Sequence, residues 1–319
     1  MSAPSVPVID FAEPASRQAL AAIDAACRDW GFFQVVNHGI DPARAIDLHA
    51  AMRAFFGQPA TNKQALLRTR ENPWGYYDRE LTKNTPDWKE VYDIGPVDGE
   101  RLAPRLPAGL PGFADTLSQW MVECETLAFR LLAAISTNLG MPADHLAGDF
   151  LPEHTSFLRL NHYPRCSTPF APDGLATTRD GYLGVNYHTD AGALTLLLQD
   201  TQPGLEVWHG ERWHRVPPLD GALVINIGDM VQVWSNDRYR AALHRAVVSA
   251  DAARMSAPYF FNPAWSTEYA PLPSLLGAGS PARYRPIAWR EFRERRADGD
   301  YADYGQEIQI SEYALAAKP

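Results

Sequence analysis

The run "VNYHTDAGALTLLLQD" (185–200) sets His188 and Asp190 two residues apart at the head of a stretch that reads as a β-strand. Side chains at i and i+2 of an extended chain point the same way, so this imidazole and this carboxylate can grip one metal ion. A third ligand has to come from another strand. His244 opens such a strand, "LHRAVVS", 54 positions beyond Asp190. Two neutral imidazoles and one carboxylate on one side of an ion leave its other side open, which suits Fe(II) acting on dioxygen. Ten positions after His244 stands Arg254, with Ser256 beside it in "RMS". A guanidinium is a planar fork for a carboxylate, and a serine hydroxyl can add one more donor.

The elements around these residues fall into two textures. "VPVIDF" (6–11) reads as a short strand, and helical spacing follows over 16–30, with Leu20, Ile23, Ala26 and Cys27 on one side and Gly31 as the stop. "FFQVVNHG" (32–39) is a strand, 42–56 a second helix, 68–90 an irregular polar and aromatic stretch, and "VYDIG" (91–95) a strand. Prolines and glycines mark 101–112 as a loop. Phe113, Leu117, Trp120, Cys124, Leu127, Leu131 and Ile135 then recur every three or four residues, predicting a long helix that stops at Gly140. From about 156 onward, short apolar runs alternate with turn clusters, "ALVINIGD" among them, and predict an antiparallel sandwich or barrel. Helical character returns only at 287–297. The expected fold class is α+β: an N-terminal region over 1–110, then a long helix and β-rich core over 111–319, in one compact unit.

Composition excludes some functions. A formal charge of −9 and a pI near 5.5 argue against nucleic acid or an anionic membrane as partner, since either needs a basic face. Cys27, Cys124 and Cys166 are odd in number and form no C-x-x-C, so neither a disulfide framework nor a thiolate zinc site is indicated. No apolar stretch approaches the roughly 18 residues of a membrane span, and the N-terminus lacks the charge and apolar pattern of a secretory leader. The expectation is a soluble, cytoplasmic protein that acts on a small molecule; its oligomeric state is not legible.

"HTDAGALTLLLQD", "VPPLDGALVINIGDMVQVWSNDRY", "LHRAV" and "RMS" together resemble the isopenicillin N synthase-like family of Fe(II)/2-oxoglutarate oxygenases. The resemblance extends to "VPVIDF", "CRDWGFFQVVNHGI", "NHYPRC" and the tail "GQEIQISEY", and so covers nearly the whole chain. It implies a double-stranded β-helix (jelly-roll) core, iron on His188, Asp190 and His244, and 2-oxoglutarate held at its far carboxylate by Arg254 and Ser256, with Tyr163 as a further contact. It also implies dioxygen as co-reactant, with ascorbate in support, and oxidation of an unactivated C–H bond by hydroxylation, desaturation or ring closure. Charge agrees: Fe(II) with one Asp is +1, a 2-oxoglutarate dianion brings the site to −1, and Arg254 returns it to neutral.

Candidate substrate contacts are Trp74, Tyr76 and Tyr77 in the irregular stretch, Tyr187 beside the first ligand, and Tyr259, Phe260 and Phe261 after Arg254. Strand alternation puts Tyr259 and Phe261 on one face and Phe260 on the other. The segment 166–187 is longer than in the plant enzymes of the family and is expected at the pocket mouth, where Asn186 and Tyr187 would narrow the entrance. His38, His162, His209 and His214 have no matching partners and read as structural. Three rival readings share parts of the pattern. A family member that does without 2-oxoglutarate would keep the triad and turn Arg254 to a substrate carboxylate. A zinc hydrolase would need a general base, and no H-E-x-x-H is present. A non-catalytic binder on the same fold would have no need of triad and arginine together.

Overall fold

The computed structural model describes residues 5–97, 102–176, 180–299 and 308–315, so the start of the "GQEIQISEY" tail lies outside the described residues. Strand β1 (Val8–Asp10) lies parallel to β2 (Phe32–Val36), with helix α1 (Arg17–Asp29) between them. Ser16 caps α1 by accepting from the Ala19 amide at 3.2 Å. At the other end Gly31 takes φ +63°, and any Cβ there would lie 2.2 Å from the Arg240 carbonyl oxygen. Helix α2 (Pro42–Phe56) starts on an Asp41 cap with proline in its first turn, and the short α3 (Ala60–Gln64) follows. The irregular stretch resolves into β3 (Gly75–Tyr77), a two-strand hairpin β4 (Leu81–Thr82) and β5 (Thr85–Pro86), and β6 (Glu90–Ile94). Helix α4 (Phe113–Asn138) buries all seven residues of the expected stripe, from Phe113 to Ile135.

The remainder is β7 (Phe157–Tyr163), β8 (Val185–His188), β9 (Leu194–Gln199), β10 (Leu205–His209), β11 (Arg212–Arg215), β12 (Leu223–Ile227), helix α5 (Asp229–Trp234), β13 (His244–Ala246), β14 (Arg254–Phe261), β15 (Glu268–Tyr269), β16 (Ile287–Ala288) and helix α6 (Trp289–Asp298). One sheet has eight strands in the order β1-β2-β12-β9-β14-β7-β6-β3, and a four-stranded sheet runs β11-β10-β13-β8. All their pairings are antiparallel except β1 with β2. The core is the expected jelly roll, with one departure in the β-rich half from the sequence reading. Helix α5 follows β12 directly, where only a strand was expected, because six apolar-rich residues carry too little periodicity to declare a helix. Of the N-terminal strands, β1 and β2 extend one edge of the main sheet and β6 and β3 the other, while β4 and β5 pair only with each other. The division at residue 110 remains a proposal about chain organisation.

Register explains what the sheet shows its partner. Arg254 pairs with Tyr163, Ser256 with Asn161 and Gln199, Phe260 with Thr195 and Phe157, and Thr195 with Asn226. Alternation then sends all of these to one face. That face looks toward the four-stranded sheet, and between the two sheets lies a cavity.

Candidate active site

Strand β8 ends on His188, β13 begins on His244, and the register makes them direct partners with ring centroids 4.3 Å apart. Asp190 follows in the turn after β8. Its Oδ1 lies 3.5 Å from His188 Nε2 and 3.7 Å from His244 Nε2, and one ligand atom from each residue falls within 4.8 Å of the others. Backbone carbonyls assign the tautomers: His188 Nδ1 donates to Asn186 O at 2.8 Å and His244 Nδ1 to Ala242 O at 3.1 Å. Each Nε2 therefore turns a lone pair inward. Asp190 Oδ2 accepts from Asn226 Nδ2 at 2.8 Å and from the Thr195 hydroxyl, leaving Oδ1 facing the imidazoles. The turn itself needs a glycine nearby, since a Cβ on Gly228 would lie 2.2 Å from Gly192 O and 2.8 Å from Asp190 O.

Electrostatics suit a cation here. Burial opposes the charge on Asp190, but the two imidazoles and the Asn226 amide outweigh it and hold the carboxyl well below its ordinary range. Burial, aided by His188, pushes His244 down to about 4, so its imidazole is neutral at pH 7. Neutral imidazoles and an ionised carboxylate are the ligand forms a divalent metal requires.

The same cavity, about 80 Å³, runs to Arg254, Ser256, Asn161 and Tyr163. Arg254 is only 4% exposed. Its Nη2 donates to Gln199 Oε1 at 3.0 Å, its Nε and Nη1 have no hydrogen-bond partner, and the guanidinium carbon sits 5.1 Å from the Tyr163 ring centroid. Gly204 makes room for it, because a Cβ there would meet Arg254 Cδ at 2.7 Å. A buried guanidinium with two idle nitrogens is a costly arrangement for the protein alone and a ready one for an incoming carboxylate.

A second cavity of about 120 Å³ adjoins the first, sharing Lys89, Arg159, Val185, His188, Asp190 and Phe260 with it. Beyond it a compartment of about 360 Å³ is walled by Trp74, Trp265, Arg290 and others, with Phe157, Arg159 and Arg293 common to both. The structure divides the seven aromatic candidates. Phe260 lines both cavities at the triad, and Trp74 lines the outer compartment. The other five line none of the three. Tyr76 is buried with its hydroxyl on Glu90, Tyr77 lies under the guanidiniums of Arg68 and Arg79, and Tyr187 faces Lys83 on the side of β8 away from His188. Tyr259 and Phe261 belong to the core on the opposite face, Phe261 stacked on Phe150 at 4.2 Å.

The 166–187 segment, expected at the pocket mouth, reaches the cavities at Val185, which lines both. Its described part packs Tyr182 on Trp88 and offers the carbonyls of Pro172 and Gly174 to Arg245 and Trp213, and no described residue from 166 to 184 lines either cavity. His38, His162, His209 and His214 stand outside the triad, His162 on Glu90 and His209 stacked on Trp30.

The family model described as the 2OG-Fe(II) oxygenase superfamily matches residues 154–263, and that of the non-haem dioxygenase in morphine synthesis N-terminal matches 6–108. Flavanone 3-dioxygenase 2 of Oryza sativa subsp. japonica is 36% identical over 297 residues, covering 91% of this chain and 83% of the relative. The chain belongs to the 2OG-Fe(II) oxygenase superfamily. Among solved members of this superfamily, JOX2 in complex with 2OG, Fe and JA matches at TM-score 0.83 and 28% identity, over 99% of this chain and 90% of that one. A full-length Neurospora crassa protein in complex with alpha-KG and 5-formyluracil matches at TM-score 0.79 and 26% identity, over 91% of this chain and 95% of that one. As a superfamily member the chain is a 2-oxoglutarate-dependent non-haem iron dioxygenase with the double-stranded β-helix fold.

Sequence reasoning passed over Thr195, Asn226, Lys89 and Arg159. The first two carry a usable signal, since each projects from a strand of the β-rich half onto the ligand face. The last two carry none: the partners of Arg159, Glu80 and Asp93, are distant in sequence, and those of Lys89, Glu80 and Asp87, lie in an irregular charged stretch of a kind that is ordinarily solvated.

Proposed function

We propose that the protein oxidises an unactivated C–H bond of a small organic molecule, with His188, Asp190 and His244 holding Fe(II) and Arg254, Ser256 and Tyr163 holding 2-oxoglutarate. When bound, iron, dioxygen and 2-oxoglutarate supply the oxidant, and 2-oxoglutarate leaves as succinate and CO2. The donor set fits: two imidazoles whose Nδ1 atoms are engaged by backbone carbonyls, one carboxylate, and a side open toward both cavities. The observation that carries the reading is Arg254, a buried guanidinium whose idle Nε and Nη1 share a cavity with the triad. Thr195 and Asn226 keep one Asp190 oxygen occupied, so the carboxylate offers the metal a single oxygen. The second cavity and the compartment beyond it receive the substrate, with Phe260 against the reacting end and Trp74 further out.

The relatives' names include a flavanone dioxygenase and JOX2 with JA, which supports a small-molecule substrate. No helix among the described residues is long and apolar enough to cross a membrane, and Cys27, Cys124 and Cys166 are buried and unpaired, in keeping with a cytoplasmic location. The test is a substrate screen with Fe(II), 2-oxoglutarate and ascorbate that follows succinate. Substrate-dependent O2 uptake without succinate would overturn the cosubstrate assignment and hand Arg254 to a substrate carboxylate.

A further inference from the structure

Lys89 stands one residue before β6 and lines both cavities beside the triad, with its side chain only 4% exposed. Its Nζ donates to Glu80 Oε2 at 2.9 Å and to Asp87 Oδ2 at 2.8 Å. An ammonium carries three N–H donors, and among the described residues these two carboxylates are its hydrogen-bonding partners. We propose that Lys89 is a substrate-binding residue: its third N–H donates to an uncharged oxygen acceptor, a carbonyl or hydroxyl, on the molecule that is oxidised. This deepens the reading above and rests on it.

Charge decides the class of acceptor. Arg68 pairs with Glu80 and Asp93, Arg159 with the same two, and Lys89 with Glu80 and Asp87. Three cations and three carboxylates cancel, and every one of these side chains is 13% exposed or less. A substrate carboxylate on Lys89 would be a fourth anion beside Glu80 and Asp87, with no cation of this set left to offset it. An uncharged acceptor takes the directed hydrogen bond and leaves the balance intact. The donor is also held in place. Asp87 Oδ2 accepts from Thr82 as well, and its Oδ1 accepts from the Asn186 amide at 3.3 Å, two residues before His188. The position of Lys89 is thereby tied to the strand that carries the first metal ligand, which is what aiming a C–H bond at the metal calls for.

The test uses the Fe(II)·2-oxoglutarate protein without oxygen, probed with cyclopentanone, cyclopentanol and cyclopentanecarboxylate by crystal soaking and calorimetry. Cyclopentanone oxygen is expected at hydrogen-bond distance from Lys89 Nζ, about 2.7–3.2 Å. Affinity for it should fall at least tenfold in Lys89→Met. Because that change strands Glu80 and Asp87, the pair Lys89→Met with Asp87→Asn keeps the charge count balanced, and should show the same loss with an unchanged melting temperature and 2-oxoglutarate affinity. Equal ketone binding by the paired variant, tighter binding of the carboxylate, or no probe in the wild-type cavity would each overturn the proposal. So would loss of 2-oxoglutarate affinity in the paired variant, which would assign Lys89 to the cosubstrate. Failure of the wild type to take up iron and 2-oxoglutarate is a separate result and overturns the reading beneath it.

Discussion

Replacing Arg254 tests the cosubstrate end, and the structure sets the size of the effect. In the protein alone its guanidinium is buried, meets Gln199 through Nη2, and leaves Nε and Nη1 idle. Truncating one member of a buried, hydrogen-bonded charge pair costs about 2–5 kcal/mol in comparable interfaces. At about 1.4 kcal/mol per decade, Arg254→Ala should weaken 2-oxoglutarate binding by roughly thirtyfold to several thousandfold. Lysine keeps the charge and loses the fork. One charge-assisted hydrogen bond is worth about 1.5–3 kcal/mol, so Arg254→Lys should cost roughly ten- to a hundredfold. Stability should move the other way. With no cosubstrate present the native guanidinium is an under-paired buried charge, so Arg254→Met should melt no lower than wild type in its absence. The assay is anaerobic titration of the Fe(II) protein with 2-oxoglutarate, followed through the metal-to-ligand charge-transfer band, with melting curves at zero and saturating cosubstrate. Equal affinity in wild type and Arg254→Ala, or a lower melting temperature of Arg254→Met without cosubstrate, would refute the reasoning.

Removing any triad member, as in His188→Ala, Asp190→Ala or His244→Ala, should abolish turnover and weaken Fe(II) binding beyond the roughly 100-fold ceiling of outer-shell changes; anaerobic iron titration checks this, and stoichiometric iron in an active His244 variant would refute the triad. Asn226→Ala frees Asp190 Oδ2 of one of its two donors and should lower Fe(II) affinity by about ten- to a hundredfold, read by the same titration. Glu90 supplies a pH dependence away from the metal. Burial raises its pKa, but hydrogen bonds from His162, Lys63 and Tyr76 outweigh that and lower it to about 2 from 4.5. Its contribution is therefore complete above pH 4.5 and lost as pH falls toward 2, up to about 3 kcal/mol, and urea unfolding between pH 5 and 2.5 should show a steeper slope in wild type than in Glu90→Gln, which keeps the slope of the other depressed carboxylates such as Asp190.

The metal ligands were legible because two stand two residues apart beside an apolar run and the third opens a strand, although the structure ends β8 at His188 and puts Asp190 in the turn after it, where an unbroken strand was expected. Arg254 and Ser256, singled out by chemistry and interval, lie on the same cavity as the triad, and their cosubstrate role is the proposal made above. Helix α4 showed itself by period alone, since its seven stripe residues all face the core. The aromatics were not. Trp74, Tyr76 and Tyr77 are neighbours in a segment without clear period, yet only Trp74 reaches a compartment, because Tyr76 turns to Glu90 and Tyr77 to Arg68 and Arg79. Around Arg254 alternation was available and was stated, but it could not say which face met the cavity until the four-stranded sheet was in place. Tyr187 fell to the same rule, lying one residue from a ligand and so on the opposite side of its strand.

The ionic network was hidden for a different reason. Glu80, Asp87, Lys89 and Asp93 lie in or beside an irregular, highly charged stretch, and such stretches are ordinarily solvated. Here they are buried because β6 docks on β7 and brings Asp93 opposite Arg159. The consequence bears on where specificity resides. The triad and the side chains set around the proposed cosubstrate, Tyr163, Arg254 and Ser256, come from residues 163–256, whereas Lys89, which lines both cavities, and Glu80, on the second, come from the first hundred. A buried network cannot lose one member without stranding another, so these charges change as a set or not at all. Phe260, Trp74 and Trp265 carry no such obligation, because apolar walls can be exchanged for others of similar volume. Divergence in substrate should therefore run through the aromatic walls, with the Lys89 donor and its carboxylates held as a fixed polar point against which each new substrate is oriented.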